Sequence, residues 1–357
     1  MSGRSSGRAR KAWRSHDHRV KQARRPEGAP FSFSLYRLLY SLHMNYPTID
    51  LLTTFSLENI PDLDTVVIGA LELFEKEKLP QIQFNAYKRP LVVGSGNAEA
   101  TGRIIFEKTD AIFASESNYE EKLKNINAID GVILLSASGG KHAPSIAKRA
   151  KELGKPVTLI TNTPHSEARA ELDITHGDTE YIFPKNREPY TYNTSTYMGM
   201  ILGYTQEDPA RIRAFIEEAI DIIDFSKFAE YEKYYLIVPP QFSGIIRMLQ
   251  VKFMELFGRN VARDVETVEY VKHATTVVPS RELFLSFGYE NTSWGEADSR
   301  LNIPLPEWAG YGTMMAVSYY VIGKIQQQHP AYFKQHIEKY TEEISKVFGE
   351  EIKPIVE

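Results

Sequence analysis

The sequence predicts an α/β fold of two units, each a parallel sheet layered between helices. Short apolar runs alternate with helical segments through residues 91–183, and the same order of elements restarts near residue 234. Several of these runs end in turns rich in Gly and Ser. Such alternation indicates parallel three-layer sheets, because parallel neighbours need a crossover and a helix supplies it. At 357 residues the chain is also long for one core, which favours two units.

Residues 44–84 read as helical, most clearly over 60–77, where Pro61 and Asp62 mark the start. Strands are expected at 91–94, 110–114, 131–136, 156–162 and near 180–183, each a short apolar run bounded by turn residues. Helices at 98–108, 119–127 and 144–153 fill the gaps, and two more follow at 194–204 and 209–223. The second unit opens after a connector at 224–232, with strands at 234–239, 262–264, 282–287 and 300–303. Its helices are expected at 242–257, 268–274, 311–328 and 331–348. The domains implied are a basic, disordered tail (1–43), a first α/β domain (44–224) and a second (225–357) that carries the C-terminal helices.

Composition narrows the function classes. The chain has no cysteine, so disulfides, thiolate nucleophiles and cysteine metal sites are excluded, which fits a reducing, cytoplasmic setting. Residues 1–43 hold ten Lys/Arg against Asp17 and Glu27, although the net charge of the whole chain is −4. The body is therefore acidic, and nucleic acid is not an expected partner. For the basic tail, plain disorder, an RNA-binding arm or transit-like peptide, and translation upstream of Met44 all stay open. No stretch approaches the ~18–20 apolar residues of a membrane span, so no membrane association is expected.

Two turns carry the readable chemistry. Gly94-Ser95-Gly96-Asn97 follows one strand and opens a helix, but a dinucleotide fingerprint needs glycine where Glu99 stands. Glu116 sits near the place of a ribose-binding acid, and a tight turn with no ligand is the plain alternative. Ser136-Ala137-Ser138-Gly139-Gly140 ends a second strand before another helix. Glycines let backbone N–H groups approach an anion, serines add donors, and the helix dipole favours negative charge. The plain alternative is Ser138 as a helix cap.

Together with the polar loop after 158–162, these turns resemble the sugar isomerase (SIS) domain family. That resemblance implies two tandem three-layer domains with flavodoxin-like parallel sheets, a phosphosugar ligand, and no metal or redox cofactor. Phosphate would rest on Ser136, Ser138, Gly139 and Gly140, with Gly96 and Asn97 opposite. Lys141 stands where the family often has a hydroxyl, and would pair with the phosphate instead. Ala98 likewise replaces a usual serine. In the loop before the helix at 194, Thr194 and Ser195 are the closest match to sugar-contacting hydroxyls, with a helix cap as the alternative.

In the second half, Lys252 and Glu255 lie three apart on a helix and share a face. His273 follows within Glu269-Tyr-Val-Lys-His-Ala274. These residues resemble the isomerase domain of glucosamine-6-phosphate synthases and the phosphoglucose/phosphomannose isomerases. By that resemblance Glu255 is the base, Lys252 steadies an enediolate, and His273, given by the neighbour in a homodimer, opens the sugar ring. Lys353 is faintly similar to a tail lysine of the synthases; otherwise the tail is expected to fray. The implied function is aldose–ketose isomerisation of a hexose phosphate or a related amino-sugar phosphate. The alternative is a non-catalytic phosphosugar sensor.

Overall fold

The computed structural model describes residues 48–83, 86–273 and 278–357, and the basic tail at 1–43 lies outside them. Helices α1 (Thr48–Thr54) and α2 (Leu63–Lys76) precede a first sheet of β1 (Pro90–Val93), β2 (Ile112–Ala114), β3 (Gly131–Leu135), β4 (Val157–Thr161) and β5 (Thr179–Ile182). All neighbours in it are parallel, in the order β2-β1-β3-β4-β5. Strands β1, β3 and β4 are buried along their whole length, which is why they read as unbroken apolar runs.

Successive strand residues face opposite cores. Val92, Ile133 and Leu135 pack with Ala98, Ile104 and Ile105 of α3 (Asn97–Ile105). On the other face Leu91, Val93, Val132 and Leu134 pack with Ile146, Ala147 and Ala150, beneath α4 (Tyr119–Asn125) and α5 (Ala143–Glu152). The helix after β1 thus covers one face, and the helix after β3 covers the other. A crevice opens between such strands beyond their carboxyl ends, where ligands of open α/β sheets bind.

A short helix, α6 (Glu167–Ala170), follows β4; β6 (Glu188–Pro189), α7 (Thr194–Thr205) and α8 (Pro209–Phe215) lead to the second sheet. This sheet holds β7 (Lys233–Val238), β8 (Ala262–Thr267), β9 (Leu283–Phe287) and β10 (Arg300–Ile303), parallel in the order β10-β9-β7-β8. Four of the five flavodoxin-order positions are therefore repeated. Helices α9 (Ile246–Phe257), α10 (Val268–Val271), α11 (Tyr311–Gln328) and α12 (Ile337–Phe348) complete the fold, with β11 (Ile355–Val356) at its end. One apolar core runs from the first sheet through α2, α7 and α11 to the second, and takes in Phe225 and Phe228 of the expected connector.

Several elements depart from their expected bounds. The helix expected over 209–223 becomes a π turn at Ile216–Ile220, with Asp221 N–H donating to Ile216 O at 2.9 Å. Asp221 is held there by Tyr320 and Lys324 of α11, at 2.5 and 2.9 Å. The last long helix begins at Ile337 rather than 331, because Phe333 turns into the core and Lys334 pairs with Asp62 at 2.5 Å.

Glu207 fixes the start of α11. Its carboxylate accepts from the N–H groups of Gly310, Gly312 and Thr313 at 2.7, 2.7 and 2.9 Å, and from the Thr313 hydroxyl at 2.5 Å. These are donors that a helix cannot satisfy internally, and the helix dipole favours the negative charge. Glu207→Ala is expected to cost about 2–3 kcal/mol, read as a lower urea midpoint with unchanged slope.

Candidate functional site

The first turn is shaped by close approach. A side chain at Gly94 would put its Cβ 2.7 Å from the Glu99 nitrogen, and Gly96 adopts φ +58, so glycine fits both places. Asn97 begins α3 with its side chain buried and its Oδ1 without a partner among the described residues. The Ser95 hydroxyl donates to Glu116 and holds that carboxyl below the usual range.

The second turn lies one strand over. Ser136 Oγ accepts from Gly139 N–H at 3.1 Å, and Ser138 Oγ accepts from Gly140 N–H at 3.2 Å. Each hydroxyl acts here as an acceptor, so its own hydrogen is free for an anion. Ala137 O, which accepts from Asn162 N–H and from the Thr161 and Thr163 hydroxyls at 3.0, 3.1 and 3.3 Å, props the turn from behind. Gly139, at φ +63, would bring a Cβ to 2.3 Å from Ser166 Oγ. Helix α5 opens from this turn with Pro144 in its first turn and no side-chain cap from His142.

Lys141, at φ +52, is engaged elsewhere. Its ammonium lies 3.0 Å from a Glu350 carboxylate oxygen and 3.9 Å from the centre of the Phe348 ring. The segment after α12 then continues to β11, which pairs antiparallel with β6 through Ile355–Pro189 and Val356–Glu188. Tyr190 N–H donates to Pro354 O at 2.7 Å. The tail is therefore docked rather than frayed, with Lys353 exposed along it. Glu350 to Ile355 spans at most ~18 Å of chain, so turn and loop lie on one side of the molecule.

The loop that receives the tail carries a carboxylate that no motif marks. Glu188 is buried and accepts from the N–H groups of Thr194 and Ser195 at 2.6 and 2.7 Å, the free donors at the start of α7. Burial raises its carboxyl above the usual range, against the pull of those donors and of Lys252. Thr194 and Ser195 are themselves fully buried, and Ser195 Oγ accepts from Asn186 N–H at 2.9 Å. Their hydroxyls do not face solvent. An acid six residues ahead of a helix start, in a loop beside a proline, was the available signal for Glu188.

Lys252 and Glu255 do meet. The Lys252 ammonium is fully buried and donates to Thr191 O, Tyr192 O and Glu255 Oε2 at 2.6, 2.7 and 2.8 Å. Burial raises the Glu255 carboxyl, with Lys252 opposing. Tyr190 and Tyr340 pack nearby with ring centres 6.0 Å apart and planes tilted by 39°, and burial pushes the Tyr190 hydroxyl up to about 12. His273 is placed apart from this group. It is exposed, its ring lies 6.4 Å from that of Tyr270 on its own segment, and no hydrogen bond joins it to Lys252 or Glu255 among the described residues. Among the described residues, no group of three or more His, Asp or Glu could hold a metal ion.

No family model and no curated protein sequence matches the chain. Solved structures do. A candidate phosphosugar isomerase of Clostridium difficile superposes with a TM-score of 0.51 at 12% identity, covering 76% of this chain and 94% of that one. Glucosamine-6-phosphate deaminase of Thermotoga maritima gives a TM-score of 0.51 at 14% identity, covering 74% and 92%. The chain therefore has the two-sheet α/β fold of these proteins, the fold implied by the sugar isomerase resemblance of its turns.

Proposed function

We propose that the protein binds a sugar phosphate at the paired turns 94–97 and 136–140 and interconverts its aldose and ketose forms. The observation that carries this reading is the placement of those turns side by side at the carboxyl ends of β1 and β3, where the sheet changes direction. Two serine hydroxyls and an uncapped helix start converge there, which suits a phosphate, whereas the Gly139 and Gly140 amides expected to join them are given to Ser136 and Ser138 Oγ. The C. difficile and T. maritima proteins of the same fold are named for phosphosugar chemistry, which agrees with it.

Glu255 is the base of this reading. It takes the proton from C2 of the aldose, leaving an enediolate, and returns it to C1 while the O2 hydroxyl proton passes to O1, to give the ketose. Carbon-acid abstraction calls for a carboxylate raised by burial, as Glu255 is. His273, exposed and not bonded to this pair, fits a group offered to the site of a second copy, and the reading takes a homodimer in the cytoplasm as its working unit. No described helix is long and apolar enough to cross a membrane.

The test is proton exchange. Fructose 6-phosphate, or another hexose phosphate, is incubated with the protein in deuterated water, and deuterium is sought at C1 of the ketose and C2 of the aldose. Label confined to those carbons supports isomerisation. Saturable binding without label across hexose and pentose phosphates would leave a sensor in its place.

A further inference from the structure

The Lys252 ammonium has three N–H donors, and all three are spent on protein: Thr191 O, Tyr192 O and Glu255 Oε2. Glu255 Oε1 accepts nothing among the described residues, and the Glu255 side chain keeps 20% of its surface exposed. The carbonyls that hold Lys252 come from a tightly constrained loop. Thr191 sits at φ +78, a left-handed conformation that is an outlier for a β-branched residue, and Asn193 at φ +47. Such a conformation persists only where its surroundings impose it. Glu188 imposes it from below by gripping the first amides of α7, while β11 pairs with Glu188 and Pro189.

We propose that Lys252 is a positioning residue that does not touch the sugar: clamped by the loop that Glu188 fixes, it holds one oxygen of Glu255 and leaves the other to move the proton. This rests on the isomerase reading and reassigns the lysine within it. Enediolate charge is then met by other donors, since an ammonium with three protein acceptors has none to offer. Besides Lys252 on its own helix, the groups facing Glu255 are Tyr190 ahead of α7, Tyr197 on α7, Tyr319 on α11 and Tyr340 on α12. All four are neutral at working pH, and Glu188 acts on Lys252 from β6. Among the described residues, the cation is thus the one charge that favours the ionised form of Glu255.

Lys252→Met tests this through the pH profile of deuterium exchange. The acid limb is expected to move up by at least one pH unit, with KM for fructose 6-phosphate within threefold of wild type, whatever the plateau loses from a displaced base. A KM raised tenfold or more with the limb in place would overturn the proposal, because that is the signature of a lost substrate contact. Should the variant misfold, lysine-ammonium NMR of the wild type decides. The Lys252 signal, shielded by its three acceptors, is expected to stay unchanged at saturating fructose 6-phosphate, and its displacement overturns the proposal. Failure of the isomerase reading is distinguishable as the absence of label with wild type. Carbon NMR titration of the Glu255 carboxyl, which Lys252→Met should shift upward without any substrate, then still reports on the clamp.

Discussion

Glu255→Gln is expected to lower deuterium exchange into fructose 6-phosphate by about a thousandfold while leaving KM within a few-fold. The amide keeps the volume of the side chain and an oxygen for Lys252, but cannot accept the C2 proton. Wild-type exchange should also rise with pH through a midpoint above that of an ordinary carboxylate, because burial favours the protonated acid and only the ionised form is a base. Stability runs the other way. A carboxyl whose folded-state pKa is raised contributes stability below its unfolded pKa and loses it as pH rises through the folded value. Glu255→Gln removes that loss but leaves the buried Lys252 ammonium without a counter-charge, so thermal melting should show the variant less stable than wild type at neutral pH. Lost exchange in a protein already unfolded at the assay temperature would point to misfolding instead of a missing base. Retained exchange would sink Glu255 as the base.

Gly323→Ala should destabilise the protein by about 3 kcal/mol or more, although alanine is the better helix former by about 1 kcal/mol. Gly323 lies in α11 where α2 begins, and an added Cβ would stand 2.1 Å from the Asp64 nitrogen and 2.8 Å from its Cα. Both atoms are backbone, so no flexible side-chain end can yield. The surroundings are stiff as well: Leu63 N–H donates to Gln326 Oε1 at 3.0 Å, Gln327 donates to Asp64 at 2.7 Å, and Lys324 pairs with Asp64 at 3.2 Å. Forcing the two helices apart would break all three. A urea midpoint unchanged from wild type would show that the α2–α11 seam is not packed as described.

The strands were readable because strands buried on both faces become plain apolar runs, and the two turns because glycine and serine mark the carboxyl ends of β1 and β3. Tertiary partners were not readable. Strand β11 forms only because Val356 meets Glu188, far away in sequence, and nothing local separates it from a loose tail. Thr194 and Ser195 sit among hydroxyls that suggest a sugar site, yet their amides serve Glu188, whose burial no local pattern announces. Lys252 and Glu255 were legible as a pair from their spacing. The two carbonyls that complete the lysine's coordination lie some sixty residues earlier and were not.

That same lysine ties the fate of the two sheets together. A charged group sealed from water is tolerable only while its acceptors are in place, and two of Lys252's acceptors belong to the segment that precedes the second sheet. A fragment made of the second half alone would hold an ammonium with a single partner and one bare side of a shared apolar interior. The second half is thus expected to depend on the first as its scaffold, and not to fold when cut out and moved.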